Sequence, residues 1–114
     1  MESYPPQATV EELRRHFRTA YKLKEEQIDL MITSSAGSLR SIFLEVDGLP
    51  ENESLNEKIA ALAHTVKGLL LNMGQVEWAE YAKEIEYTAK AGEEKDYKSM
   101  MKTLRAGLQE ICGP

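Results

Sequence analysis

One histidine, His64, and one lysine, Lys67, stand three residues apart in the run AALAHTVKGLLLNMG, residues 60–74. On an α-helix, positions i and i+3 are neighbours on the surface, so the imidazole and the ammonium lie side by side if this run is helical. A neutral imidazole is a good nucleophile toward phosphorus, and a nearby ammonium stabilises the negative charge of a phosphoryl group. The spacing therefore favours a site that carries a phosphoryl group.

The helical periodicity of this run predicts which way His64 points. Apolar residues recur at intervals of four and three and fall within roughly 40° of one line on a helix, which must face a core. These residues are Leu55, Ile59, Leu62, Val66, Leu69 and Met73. His64 comes two residues after Leu62, so we expect it to point about 180° away from that line, into solvent.

The outward face around His64 carries small and apolar residues where Lys, Glu and Gln are usual. The residues expected there, which we name the docking face, are Ala60, Ala61, Gly68 and Leu71. Glycine inside a helix costs about 1 kcal/mol relative to alanine. Packing within the protein does not explain a glycine on an exposed face, whereas a partner that approaches the backbone closely does.

The residues near His64 exclude several other kinds of site. No carboxylate or nucleophile stands beside the His64 and Lys67 pair in the local sequence, so a hydrolytic triad has no support. A single histidine is a poor metal site, and His16 is distant in sequence, so we assign His16 no role and expect no metal. The chain also lacks a glycine-rich nucleotide loop. The metal and the leaving group must therefore come from a partner.

The composition indicates one domain of an ordinary soluble protein. The chain has 114 residues, of which 42% are hydrophobic and 29% charged, and its net charge is −5. Because no basic block occurs, nucleic acid is not an expected partner. No apolar run approaches the ~20 residues of a membrane span, and the N-terminus does not resemble a signal peptide. The single cysteine, Cys112, cannot form an internal disulfide, and we expect a cytoplasmic protein with no membrane partner.

Helical periodicity runs through the chain, and no strand pattern interrupts it. We expect an all-α protein, an up-down four-helix bundle with a short extra N-terminal helix. Residues 1–8 are expected to form a disordered or extended tail, and residues 9–112 a single helical domain. The last of the helices is expected to run without a break from about Tyr97 to Ile111.

Capping residues and glycines predict where several helices begin and end. Thr9 with Glu12 fits a capping box at the start of the first helix, and Ser54 with Glu57 fits another at the helix that carries His64. Gly74 is expected to end that helix.

The run AHTVKGLLLNMG resembles the signature of histidine-containing phosphotransfer (HPt) domains, roughly A-H-x-[hydrophobic]-K-G-x-x-x-x-[hydrophobic]-G. The matching positions are Ala63, His64, Val66, Lys67, Gly68, Met73 and Gly74. Downstream, Ile85, Glu86 and the run TAKAG also fit the pattern of the family. The resemblance covers residues 55–112 well and the N-terminal half only as a helical pattern.

The resemblance implies a role as an intermediate in multistep two-component phosphorelays. His64 would exchange a phosphoryl group with the aspartate of a response-regulator receiver domain, or accept it from a hybrid histidine kinase. Lys67 would help to hold the phosphoryl oxygens, and Gly68 would leave room for the receiver. Such a chain is a monomeric phosphoryl carrier and not an enzyme, it binds no cofactor, and its receiver partner supplies Mg²⁺.

The chain departs from the family after the lysine and glycine, where most members carry small residues such as Ser or Ala. Leu69 and Leu70 stand there instead, and we expect them to change the packing without removing the chemistry. The hydroxyl that some relatives place near the imidazole is missing. Glu86 is a candidate replacement as the polar neighbour of His64.

Two other functions remain open. The phosphoacceptor and dimerisation domain of a histidine kinase is also a helical bundle with an exposed histidine. That family usually has an acidic residue directly after the histidine and a proline a few residues later, whereas here Thr65 follows and the next proline is Pro114. The second alternative is a helical interaction module that has lost phosphoryl transfer. Such a module would be free to lose His64 or Lys67, and this chain has both.

Overall fold

The computed structural model describes residues 4–113, and about three quarters of these residues lie in α-helices, with no strand among them. The prediction of an all-helical protein is confirmed. In chain order the helices are α1 (Val10–Ala20), α2 (Glu25–Asp47), α3 (Leu55–Asn72), α4 (Val76–Lys90), α5 (Tyr97–Gly107) and α6 (Gln109–Cys112). Within the described residues, no helix has the length and apolar character needed to cross a membrane.

Helices α3 and α4 pack closely, and their pairing positions the candidate site. A three-residue connection, residues 73–75, joins them, so they run side by side in opposite directions. Small side chains allow the two backbones to approach, because the alanines on both helices are buried. These are Ala60 and Ala63 on α3 and Ala79, Ala82 and Ala89 on α4.

The buried face of α3 is rotated toward α4, relative to the face that the large apolar residues predict. Ile59, Val66 and Met73 are buried as expected, but Leu55, Leu62 and Leu69 are only partly buried. The remaining buried positions of α3 are Ala60, Ala63 and Leu70. Helix α4 packs closely on the alanines of α3 and buries them. A prediction that considers only large apolar residues does not identify this buried side.

Two of the three predicted helix ends are confirmed, the start of α1 and the end of α3, and the predicted start of α3 is not. Thr9 Oγ1 accepts a hydrogen bond from the Glu12 amide at 3.1 Å, and Glu12 Oε1 accepts one from the Thr9 amide at 2.9 Å, so this capping box is present. Gly74 follows α3 with a φ of 74°. The predicted capping box at Ser54 is wrong. Its backbone is already helical, with φ −92° and ψ −1°, so the hydroxyl donates to Asn52 Oδ1 at 2.7 Å instead.

The last predicted helix is interrupted at Leu108, between α5 and α6. The carbonyl of Gly107 accepts a hydrogen bond from the Ala8 amide at 2.9 Å, and the carbonyl of Ala106 accepts one from Gln7 Nε2 at 2.9 Å. These carbonyls bind the N-terminal segment, and the Ile111 amide bonds to Leu108 instead of continuing the helix. The expectation of one unbroken helix to Ile111 is therefore wrong.

The N-terminal segment from residue 4 to residue 9 has no helix and packs against the helices. Ala8 is buried, and Trp78 Nε1 donates to the Pro6 carbonyl at 2.9 Å. Residues 1–3 of the predicted tail lie outside the described residues.

Candidate functional site

His64 points away from the core, as its position on the helix predicts. Its side chain is 64% exposed, and its Nδ1 lies 2.9 Å from Oε2 of Glu86 on the neighbouring helix α4. The predicted outward orientation is thus confirmed, and the imidazole is also tied to α4 through one ring nitrogen. The other nitrogen, Nε2, is the one left for a reaction.

Glu86 is the one buried charged side chain among residues 4–113, with 2% of its surface exposed. Its Oε1 lies 3.0 Å from Lys67 Nζ, and its Oε2 lies 3.3 Å from Lys90 Nζ as well as near His64. A buried carboxylate is unfavourable unless charges and hydrogen bonds compensate for the lost water. Three donors from α3 and α4 provide that compensation here.

The surroundings of Glu86 keep its carboxyl group ionised. Burial raises the pKa of Glu86, but hydrogen bonds from Lys67, Lys90 and His64 outweigh burial and hold the pKa below its ordinary value. An ionised carboxylate can only accept hydrogen bonds, so the proton of the His64–Glu86 bond is carried by Nδ1. When the imidazole is neutral, its lone pair is therefore on Nε2.

Lys67 lies between the two helices and is not a freely solvated lysine. Its side chain is only 21% exposed, and its ammonium bonds to Glu86. Lys67 bonds to Oε1 and His64 to Oε2 of the same carboxylate, so Glu86 holds a positive charge near the imidazole.

Three of the four residues assigned to the docking face lie on the exposed side of α3. Ala61 is exposed, Leu71 is 50% exposed, and a Cβ added to Gly68 would meet nothing within 4 Å. No neighbour in the described part of the chain therefore requires a glycine at position 68. The expectation that Ala60 is exposed is wrong: Ala60 is 3% exposed on the side of α3 that α4 covers, although it also lines the cleft beside His64.

An open cleft of about 760 Å³ adjoins the imidazole at the N-terminal end of α3. His64, Glu86 and Lys90 line one part of it, and the carboxylates Glu53 and Glu57 line another. The surface beside His64 is therefore concave and open to a partner.

Lys90 is the site residue that sequence reasoning missed. It is 65% exposed and bonds to Glu86 from one turn further along α4. The signal was present, because an acid followed by a lysine four residues later forms a pair on a helix. This pairing assigns Lys90 to the site only when Glu86 is itself assigned to the site.

His16 takes no part in this cluster. Its ring packs against the turn after α3, where a Cβ added to Gly74 would come within 2.5 Å of it. Its Nε2 is buried without a hydrogen-bond partner. No three His, Cys, Asp or Glu side chains in the described range are grouped to hold a metal ion.

Comparison of the chain with protein-family models, curated proteins and solved structures finds no match in any of the three. A function must therefore be inferred from the side chains of the site and from the motif around His64.

Proposed function

We propose that this chain is a phosphorelay intermediate, as its resemblance to HPt domains implies. His64 accepts a phosphoryl group on Nε2 and exchanges it with the aspartate of a response-regulator receiver domain. A hybrid histidine kinase is the second possible donor. The chain is a carrier and not an enzyme, and the receiver supplies the Mg²⁺ that activates the phosphoryl group.

One observation carries this proposal: an exposed imidazole is bonded through Nδ1 to a buried carboxylate that also holds an ammonium. The distances are 2.9 Å from His64 to Glu86 and 3.0 Å from Glu86 to Lys67. Most of the His64 side chain is exposed to solvent, so packing of the core does not require the bond to Glu86. A nucleophile needs a fixed tautomer, a free lone pair and a nearby positive charge, and the cluster offers all three.

The chemistry follows from these contacts. The lone pair of His64 Nε2 attacks the phosphorus of an aspartyl phosphate, and the aspartate leaves with the electron pair of the broken P–O bond. Glu86 fixes the ring orientation through Nδ1–H. Lys67 and Lys90 are within reach of the oxygens of a phosphoryl group on His64 and stabilise the charge that they carry.

The fold supports the same proposal. We take α2 to α5 as an up-down four-helix bundle, with α1 as the extra helix. Ala61, Gly68 and Leu71 then surround His64 on an uninterrupted outer face of α3, where a monomer can receive a receiver domain. The cytoplasm is the compartment in which such partners occur.

The function is tested by mixing the protein with a panel of phosphorylated receiver domains and following acid-labile label. Transfer to the wild type and none to His64→Gln is the expected result. His16→Gln is the matched control and is expected to accept the label at the wild-type rate. Stable label on His64→Gln, or no label on the wild type from any receiver, contradicts the proposal; the second outcome favours a silent interaction module.

A further inference from the structure

Glu86 is placed to act on the phosphorylated form of His64 as well as on the free form. We propose that Glu86 keeps the proton on His64 Nδ1 after Nε2 has been phosphorylated, so that the phosphoryl group is carried on a positively charged ring. Glu86 is thus a positioning residue that acts through His64. This inference rests on the proposed function.

The burial of Glu86 gives its carboxylate few other partners. With 2% of its surface exposed, it has little access to water, and its donors are His64 Nδ1, Lys67 and Lys90. A buried carboxylate that loses its donors is strongly unfavourable. Each donor that leaves therefore increases the importance of those that remain.

Phosphorylation of His64 gives Lys67 and Lys90 a second possible partner besides Glu86. A phosphoryl group brings nearly two negative charges and three strong acceptor oxygens. Lys90 is 65% exposed and bonds to Glu86 at 3.3 Å, so its ammonium can turn to those oxygens, and Lys67 lies beside the ring. A lysine that turns to the phosphoryl group leaves Glu86 more dependent on the imidazole proton.

The other charged groups near the ring do not replace Glu86 in this role. Lys67 faces the ring from α3 and Lys90 from α4, and both are cations that oppose a positive ring. Glu53 and Glu57 line the adjoining cleft but make no hydrogen bond to His64 among those of the described residues. The carboxylate of Glu86 is the negative charge in contact with Nδ1.

The charge on the ring matters for the return step. When Nε2 takes the phosphoryl group and Nδ1 keeps its proton, the ring carries one positive charge. When the P–N bond breaks toward an aspartate, its electron pair returns to Nε2 and leaves a neutral imidazole that still carries Nδ1–H. No proton has to enter or leave the site. A ring that had lost the Nδ1 proton would have to depart as an anion or regain a proton first.

The test uses the whole chain with ¹⁵N-labelled histidine and phosphoramidate as the phosphoryl donor. Long-range ¹H–¹⁵N spectra follow the ring nitrogens of phosphorylated His64 as the pH is raised. The midpoint is the pH at which half of the phosphorylated rings have lost the Nδ1 proton. Glu86→Gln keeps a hydrogen-bond acceptor but removes the charge, and it is expected to lower the midpoint by about one unit or more. The reason is that an opposite charge in contact shifts proton affinity at least tenfold. Glu84→Gln, an exposed position on the same helix, is expected to match the wild type.

Each outcome decides a different claim. Equal midpoints in the wild type and Glu86→Gln overturn this inference and leave the proposed function intact. A wild-type chain that takes no phosphoryl group on His64 overturns both. If Glu86→Gln does not fold, Glu86→Met removes the charge with an apolar side chain of similar size, and it is also expected to lower the midpoint. An unchanged midpoint in that variant contradicts the inference.

Discussion

The positive charge that Lys67 holds beside His64 has two effects that can be separated by substitution. Its ammonium bonds to the buried Glu86 at 3.0 Å, and in the proposed function it would also stabilise a transferring phosphoryl group. We expect Lys67→Ala to slow transfer by roughly tenfold to a thousandfold, or ~1.4 to 4 kcal/mol of barrier, because most of the neutralisation comes from the metal of the receiver. Lys67→Arg should recover part of the rate, since it restores the charge with a different geometry.

Single-turnover transfer from one receiver, with thermal melts alongside, checks this prediction. The lost hydrogen bond to a charged group is expected to lower the free energy of unfolding by about 1–3 kcal/mol, because Lys90 and His64 remain as donors to Glu86. Equal transfer rates for the wild type and Lys67→Ala would assign the lysine to structure alone.

Glu86 makes a separate prediction about stability and pH. Its pKa is held below the ordinary value of 4.5 in the folded protein, so folding favours the ionised form. The stability that this supplies is present above about pH 4.5 and is lost as the pH falls through the lower folded pKa. Urea unfolding at a series of pH values should therefore show a steeper acid loss for the wild type than for Glu86→Gln. Parallel profiles for the two proteins would contradict the ionised cluster.

The sequence predicts the reactive residues better than the contacts that organise them. The outward position of His64 follows from its spacing to the apolar residues of α3 alone. The contact to Glu86 depends on how α3 and α4 are aligned, which spacing within one helix does not contain. Lys90 pairs with Glu86 within α4 and belongs to the site only because α4 brings Glu86 to His64. Ala60 was misplaced because a small residue gives no sign of the helix that covers it.

Among the elements, α3 presents the face on which a receiver would dock. Gly68 is a helix-interior glycine with open space beside it, so Gly68→Gln should raise the free energy of unfolding by up to about 1 kcal/mol. Transfer should nevertheless slow about tenfold or more, because the new side chain projects where the receiver must approach. Gly37→Gln adds the same side chain at a glycine of α2 that also has open space beside it, and it is the control. An unchanged transfer rate in Gly68→Gln would show that no partner needs the space beside Gly68.

Gly107, the last residue of helix α5, leaves room for the ring of Trp78. A Cβ at Gly107 would overlap the ring of Trp78, so Gly107→Ala is expected to lower the free energy of unfolding by about 1–3 kcal/mol. A Cβ at Gly37 in α2 meets nothing within 4 Å, so Gly37→Ala should be neutral or stabilise by up to about 1 kcal/mol. Calorimetry on both variants checks the pair. Transfer by the folded fraction should be unchanged in each, and equal melting temperatures would contradict this account of α5.

Helical periodicity was sufficient to predict the helices and most of their lengths, because each helix buries a regular apolar stripe. Periodicity failed at Leu108, and the capping signal failed at Ser54. At Leu108 the deciding hydrogen bonds come from Gln7 and Ala8, about a hundred positions earlier in the chain. At Ser54 the backbone is already helical, so the side-chain oxygen does not accept the amide hydrogen bond of a capping box, and the hydroxyl donates to Asn52.

For the whole molecule, the central claim is that His64 Nε2 is the atom that carries the phosphoryl group. The most direct test transfers a phosphoryl group from a phosphorylated receiver to the chain with ¹⁵N-labelled histidine and identifies the modified nitrogen by NMR. One phosphorylated nitrogen is expected, Nε2 of His64, with the proton on Nδ1 and with His16 unmodified. A phosphoryl group on Nδ1 of His64, on His16 or on no histidine would contradict it.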